Sequence, residues 1–269
     1  MVVPLAAGSA VDNAMRIVTE RVSENIGQGI VIENQPGAAG LIGTERVAKA
    51  AADGYTIGGF NDSIMTMLPN LYAKLPWDIV RDFEPVSLMA TIEWGLVTTS
   101  DSPYRTAADL IAAAKANPGK INYGSGGNGS PQHIAMELFA TTAGISLTHV
   151  PYKGATQAAV GVAAGEVSVA FQGLATVATL ARSGKLRIIG VTTAQRLPQF
   201  AEVPTVAESG LPGFAFNSWA TVVAPAGVGK SRLVRELEKY VEGKVTVTGT
   251  HRFVSGLHTI QIKTVATAT

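Results

Sequence analysis

The residues of this sequence are poorly placed for covalent chemistry. It contains no cysteine, which removes thiolate nucleophiles, disulfides and cysteine-based metal sites together. No G-x-S-x-G elbow occurs. The four histidines, His133, His149, His251 and His258, form no H-x-x-x-H or H-E-x-x-H pair for zinc. His133 falls in the first turn of an expected helix, as a ligand contact or a capping residue. His149 falls within an expected strand, where a satisfied core histidine is the simpler reading. Asp12, Asp62 and Asp78 are the acids nearest expected loops, and nothing pairs them as acid and base. These residue types point to binding rather than catalysis, and they imply neither a metal nor a cofactor.

One motif points to phosphate. Ala224-Pro225-Ala226-Gly227-Val228-Gly229-Lys230-Ser231 nearly spells the G-x-x-x-x-G-K-[ST] loop, between an expected strand at 219–224 and an expected helix at 231–240. Ala224 replaces the first glycine, however, and no apolar strand ending in aspartate follows to organise magnesium. A P-loop nucleotide-binding protein is therefore the alternative function.

Three other loops share a different design: a strand ends, small residues follow, and a helix begins. They are residues 7–10, 126–130 and 153–156. Free backbone N–H groups and the positive end of a helix suit a bound anion, and small side chains let it approach the main chain. Small residues also make tight turns in any α/β fold, so one such loop decides little. Three together favour main-chain capture of a carboxylate or phosphate.

The elements that must position these loops follow from the apolar period. Strands are expected at 2–5, 30–33, 55–60, 94–99, 121–125, 148–152, 167–171 and 186–192. Helices are expected at 11–26, 41–51, 106–116, from Pro131 to Gly144, at 156–164, and briefly between the last two strands. Repeated strand–loop–helix units mean an α/β protein with ligands at the carboxyl ends of its strands. Composition agrees. Lys plus Arg number 21 and Asp plus Glu 20, a formal net charge of +1, and charged residues reach only 15% against about 25% in typical domains. With 46% hydrophobic residues, disorder is excluded, and no dense basic face offers itself to nucleic acid. No apolar run reaches the roughly 18 residues of a membrane helix. Met1-Val2-Val3-Pro4-Leu5 lacks the basic and apolar regions of a signal peptide, which leaves the compartment open.

An ordered set of motifs carries a family resemblance. It runs through Val2-Val3-Pro4-Leu5-Ala6-Ala7-Gly8 with Asp12, Glu33-Asn34-Gln35-Pro36-Gly37, Asp53-Gly54-Tyr55-Thr56, Pro69-Asn70-Leu71-Tyr72 and Asp82-Phe83-Glu84-Pro85-Val86. It continues with Tyr123-Gly124-Ser125-Gly126-Gly127-Asn128-Gly129-Ser130 and His133, Val150-Pro151-Tyr152-Lys153-Gly154, Gly184-Lys185-Leu186-Arg187, Val203-Pro204-Thr205, and Trp219 with Ala224-Pro225-Ala226-Gly227. From residue 2 to 227 the chain resembles the Bug-type (TctC-like) solute-binding receptors of tripartite tricarboxylate transporters. The resemblance implies a non-enzymatic periplasmic receptor with a two-lobed periplasmic binding protein fold, each lobe a mixed, mainly parallel sheet flanked by helices. Lobe one would comprise 1–96 and 219–269, and lobe two 97–218. The ligand would be a small carboxylate and the partner a membrane permease, with the receptor itself a monomer that enters no membrane. The implied ligand-binding residues are Leu5, Ala7, Gly8, Ser9, Ala10, Asp12, Asn61, Ser130, His133, Tyr152, Lys153, Gly154, Ala155, Thr156 and Gln172.

Two departures from the family stand out. Residues 227–243 resemble a piece of a P-loop ATPase, and 244–269 match nothing in the family, as at a junction, frameshift or degenerate terminus, or through ordinary divergence. Gln172 stands where an aspartate is common; if that position faces the ligand, the exchange favours a plain carboxylate over a ligand carrying an ammonium group. Exchanging Gln172 for Asp should therefore shift preference toward amino acids in a binding titration; unchanged preference would remove that idea.

Overall fold

The computed structural model describes residues 1–229, Leu233, Val234 and Leu237, and the backbone of Gly249–Arg252 and Thr259–Ile262. Strand β1 (Val2–Val3) leads to helix α1 (Ala10–Ile26), β2 (Glu33–Asn34), α2 (Leu41–Ala48) and β3 (Gly58–Asn61). A π-helical turn (Ser63–Met67) and the short α3 (Leu68–Leu71) precede β4 (Phe83–Ile92). The chain continues through β5 (Trp94–Thr99), α4 (Ala107–Ala116), β6 (Asn122–Ser125), α5 (Pro131–Ala143) and β7 (Thr148–Pro151). Then come α6 (Ala155–Ala163), β8 (Val169–Gly173), α7 (Leu174–Arg182), β9 (Leu186–Val191) and β10 (Ser218–Pro225).

Capping chemistry sets the long helices. Ser9 accepts the Asp12 N–H at the start of α1, and Gly27 closes the helix in the left-handed region at φ 68°. Between them Val11, Met15, Val18 and Val22 form one buried stripe. Ser130 caps α5, with Pro131 at its first position and Gly144 at its end.

Two five-stranded sheets result, in the orders β2-β1-β3-β10-β4 and β7-β6-β8-β5-β9. In sheet one β1 is parallel to both neighbours and β10 antiparallel to both of its own. Sheet two repeats the pattern with β6 parallel and β5 antiparallel. Four of the five strands in each sheet thus share one direction. Helices cover both faces. On sheet one, Met15 of α1 joins the core beneath one face, and Val47 of α2 packs with Val2 and Phe60 on the other. On sheet two, Phe139 of α5 meets Phe171 on one face, while Ala159, Val162 and Val177 of α6 and α7 pack with Val97 and Ala170 on the other. This is a two-lobed α/β fold with mixed, mainly parallel sheets, as the sequence pattern implies.

The reversed strand in each sheet is the one by which the chain arrives from the other. Only Glu93 separates β4 in sheet one from β5 in sheet two, and β10 re-enters sheet one after the segment 192–217. The two crossings are braced side by side. The Trp94 and Phe216 rings meet edge to face at 5.6 Å, and Thr192 donates through its hydroxyl to the Phe216 carbonyl and through its N–H to the Trp94 carbonyl.

The sequence pattern assigns no element between 61 and 93, where the structure has β4. That strand lies at the sheet edge with a mostly half-exposed burial pattern, and it contains Pro85, which argues against a strand when read locally. Phe139 is fully buried between Phe171 at 5.7 Å and Phe214 at 6.0 Å. Phe139→Ala should lower unfolding stability by about 3–5 kcal/mol in urea titrations; a loss below about 1 kcal/mol would mean that α5 does not anchor sheet two.

Candidate ligand-binding cleft

The carboxyl ends of β1, β3, β6 and β8 border one cleft between the sheets that opens to solvent. Ligand sites of α/β sheets form at such strand ends. Four helix starts line it: Ser9 and Ala10 of α1, Ser130 and Gln132 of α5, Gly154 and Ala155 of α6, and Gly173 and Thr176 of α7. Lys153 is the one ionisable side chain among the described lining residues, and it is exposed. Apolar groups, including Pro4, Val11, Ile92 and Trp94, fill much of the remaining wall.

The helix starts differ in their caps. Ser9 and Ser130 each hold one first-turn N–H. Gly154 and Gly173 have no side chain to cap α6 and α7. The first turns of these helices border the cleft, and a helix N-terminus carries roughly half a positive charge.

Asp12 shapes the first loop without lining the cavity. Its buried carboxylate accepts the Gly8 N–H at 2.8 Å, the Arg16 Nε–H at 2.9 Å and the Asn34 amide at 2.9 Å. Asn34 in turn donates to the Leu5 carbonyl at 3.1 Å. Burial pushes the Asp12 pKa up, but these three hydrogen bonds outweigh it and hold the carboxyl below its ordinary value.

The lobes touch where small residues allow it. A Cβ on Gly154 would lie 2.8 Å from the Ala6 Cβ, and one on Gly173 would lie 2.9 Å from the Ala10 Cβ. Two hydrogen bonds also span the seam: Thr156 Oγ1 donates to the Ala7 carbonyl at 2.9 Å, and Ser63 Oγ to the Gly129 carbonyl at 2.8 Å.

Of the residues expected to bind ligand, Leu5, Ser9, Ala10, Asn61, Ser130, Lys153, Gly154 and Ala155 line the cavity. The others do not, for physical reasons. Ala7, Gly8 and Thr156 meet one another across the seam. Asp12 is committed to loop backbone, and His133 turns its Nδ1 to the Gly129 N–H at 3.1 Å. The Tyr152 hydroxyl donates to Glu166 at 2.9 Å. Gln172 is fully buried, and its amide atoms have no hydrogen-bond partner among the described residues.

Sequence reasoning missed the α7 start at Gly173 and Thr176, because Gly173 ends a strand and brings no capping residue. It also missed the wall formed by Pro36, Gly37, Ala39 and Gly40. There Ala38 and Ala39 adopt left-handed φ values of 47° and 55°, a conformation that L-residues enter at a cost. The Pro-Gly pair reads only as a turn.

The P-loop-like segment lies elsewhere. Since β10 is antiparallel to β3, Ser218 at its start reaches the cleft, while Pro225 at its end pairs with Phe83 at the far edge. The Gly227 N–H donates to the Glu84 carboxylate at 2.8 Å, and the Ala226 N–H to the Asp82 carbonyl at 3.0 Å. Those amides are occupied, one by an anion that would repel phosphate. Lys230 and Ser231, the expected helix at 231–240 apart from Leu233, Val234 and Leu237, and the side chains of 244–269 lie outside the described residues.

Comparison with known proteins decides the family. The model of the tripartite tricarboxylate transporter family receptor (TctC) matches residues 14–267. The chain belongs to this receptor family. The match runs past Gly227, where sequence reading ends the resemblance, so the C-terminal segment is not foreign to the family. A curated relative from Pseudomonas sp. (strain P51), the UPF0065 protein in the tcbD-tcbE intergenic region, is 40% identical over 244 residues, covering 89% of this chain and 72% of the relative. Rpa4515 of R. palustris, solved with adipate, has a TM-score of 0.86 at 37% identity, covering 89% of this chain and 80% of its own. The periplasmic binding protein BugD has a TM-score of 0.84 at 31% identity, with 90% and 80% covered. MatC from Rhodopseudomonas palustris, with bound malate, has a TM-score of 0.83 at 28% identity, with 90% and 82% covered.

One buried acid beside the cleft sets a pH dependence. Asp62 follows the lining residue Asn61, and its carboxyl accepts a hydrogen bond from Ser218, the first residue of β10. Burial pushes its pKa up to about 7, against the hydrogen bonds from Ser218 and the Ser63 N–H. The folded state therefore holds this proton more tightly than the unfolded chain does, whose value is near 3.8. The resulting stabilisation is complete below that value and is lost as pH rises through about 7. Asp62→Asn should remove this dependence and be more stable than the native protein at high pH, by on the order of a few kcal/mol. Thermal unfolding at acidic and alkaline pH checks this, and equal slopes in both proteins would exclude a neutral Asp62.

Proposed function

We propose that this chain is an extracytoplasmic receptor that takes one small carboxylate into the cleft, closes its lobes on it, and delivers it to the membrane permease of a tripartite transporter. The observation that carries this reading is the convergence of four helix N-termini on a cleft with a single, exposed ionisable side chain. A carboxylate is the ligand such a site suits, since neutral amides and helix dipoles favour an anion without an arginine clamp. The adipate of Rpa4515 and the malate of MatC support a dicarboxylate. The protein works as a monomer in the periplasm, and binding, with no catalysis, is its function.

Lobe one is residues 1–96 with 219–269 and lobe two is 97–218, hinged at the two braced crossings. Leu5, Ser9, Ala10 and Asn61 present one wall to the ligand, and Ser130 with the segment 153–155 presents the other. Gly173→Ala tests closure. Its φ of −59° suits any residue, so the added methyl acts only by meeting Ala10 and Ile92.

Titration calorimetry against adipate, malate, a monocarboxylate and ATP with magnesium separates the readings. One carboxylate should bind per chain, and Gly173→Ala should weaken it by about tenfold. Binding of ATP that is lost in Lys230→Ala, with no carboxylate bound, would overturn the receptor reading.

A further inference from the structure

Behind the loop 126–130 three rings are stacked. The Tyr123 ring of β6 lies 4.9 Å from His149 of β7 at 18°, and His149 lies 4.2 Å from His133 of α5 at 13°. Each imidazole ties down one part of the loop. His133 Nδ1 accepts the Gly129 N–H at 3.1 Å. His149 Nε2 is 2.6 Å from Ser125 Oγ, which accepts the Gly127 N–H at 3.1 Å. The loop matters on its other side as well. Gly126 and Ser130 line the cleft, and the Gly129 carbonyl accepts the Ser63 hydroxyl from across the seam.

We propose that His133 and His149 are positioning residues for ligand capture: as neutral rings they hold the loop 126–130 in its cleft-facing shape, and acidification releases it and weakens carboxylate binding. This rests on the receptor reading above. The geometry requires a neutral His133 with its proton on Nε2, since a protonated Nδ1 would point a second donor at the Gly129 N–H. Two charged imidazoles at stacking distance would also repel each other.

The ionisable groups facing the stack are Glu137 on α5 and Tyr123 on β6, whose hydroxyl donates to Glu137 at 2.6 Å. Burial lowers the pKa of both histidines and their mutual repulsion lowers that of His149, against the attraction of Glu137. Both therefore stay neutral at pH 7 and gain a proton only below the ordinary imidazole value of 6.5. A state that holds them neutral is fully favoured above that value and loses ground as pH falls below it. Asp62 acts in the opposite direction, so the two effects are separable by sign.

The test is adipate affinity by calorimetry between about pH 7.5 and 5.5, a window around the imidazole value, for the native chain, His133→Asn and His133→Ala. The asparagine carbonyl can accept the Gly129 N–H and does not titrate. The native chain should weaken by about tenfold on acidification, the loss expected for one hydrogen bond. His133→Asn should stay within about threefold of native affinity at the upper pH and lose most of the acid sensitivity. His133→Ala should be weak at both ends. A flat native profile, or an equally steep one in His133→Asn, would overturn the proposal. If adipate fails to bind the native chain at all, the receptor reading for this ligand fails separately. The loop is then judged by amide exchange of Gly129 in the free protein, which must be protected at the upper pH and lose protection at the lower one.

Discussion

Four helix N-termini face one another across a narrow gap, and most other features of this molecule accommodate that arrangement. Each end carries roughly half a positive charge; among the described residues no acidic side chain lines the gap itself, and of the four helices only α1 has an acid, Asp12, in its first turn. Bringing the lobes together therefore raises an electrostatic cost that a single anion between them offsets. An anion bound there would favour the closed arrangement through differential interaction, which is the only way a ligand can shift such an equilibrium.

The sheet topology follows from the need to aim these helices at one place. Helices that follow parallel strands begin at the carboxyl edge of the sheet, so two sheets must present their carboxyl edges to each other. A chain that crosses between them does so from that shared edge and must run back through the sheet that it enters. That is why β5 and β10 alone oppose their neighbours. Trp94 with Phe216, and Thr192 with the carbonyls of both, tie the two crossings together.

Legibility in the sequence tracked how local the cause was. Helices α1 and α5 are written in Ser9, Ser130, Pro131 and the glycines that end them, because caps act within a turn. The three small-residue loops were readable for the same reason. What escaped was set by distant contacts. Strand β4 holds despite Pro85 because β10 pairs along it, and the α7 start reaches the cleft only because β8 ends there. Asp12, His133 and Tyr152 have the chemistry of ligand contacts, yet the fold turns them toward Gly8, Gly129 and Glu166. A polar side chain beside a binding loop can hold the loop as readily as the ligand, and sequence spacing does not separate the two.

That division of labour bears on specificity. Backbone amides recognise any carboxylate, so discrimination among acids falls to the lining that touches the rest of the ligand. Here that lining is largely apolar and small, and one methylene more or less is worth only about 0.8 kcal/mol of burial. An acid one carbon too short then loses a few-fold in affinity, whereas one too long for the space is excluded by overlap. Sharper choice needs a polar group placed on the ligand itself, and the lining offers Asn61, Gln132, Thr176 and Lys153, the hydroxyls of Ser9 and Ser130, and the Trp94 indole N–H. Asn61 already spends its carbonyl on the Ile64 N–H, which leaves its amide as donor. If the cleft takes a carboxylate as proposed, changing these few residues would alter which acid is held while leaving the helix frame in place.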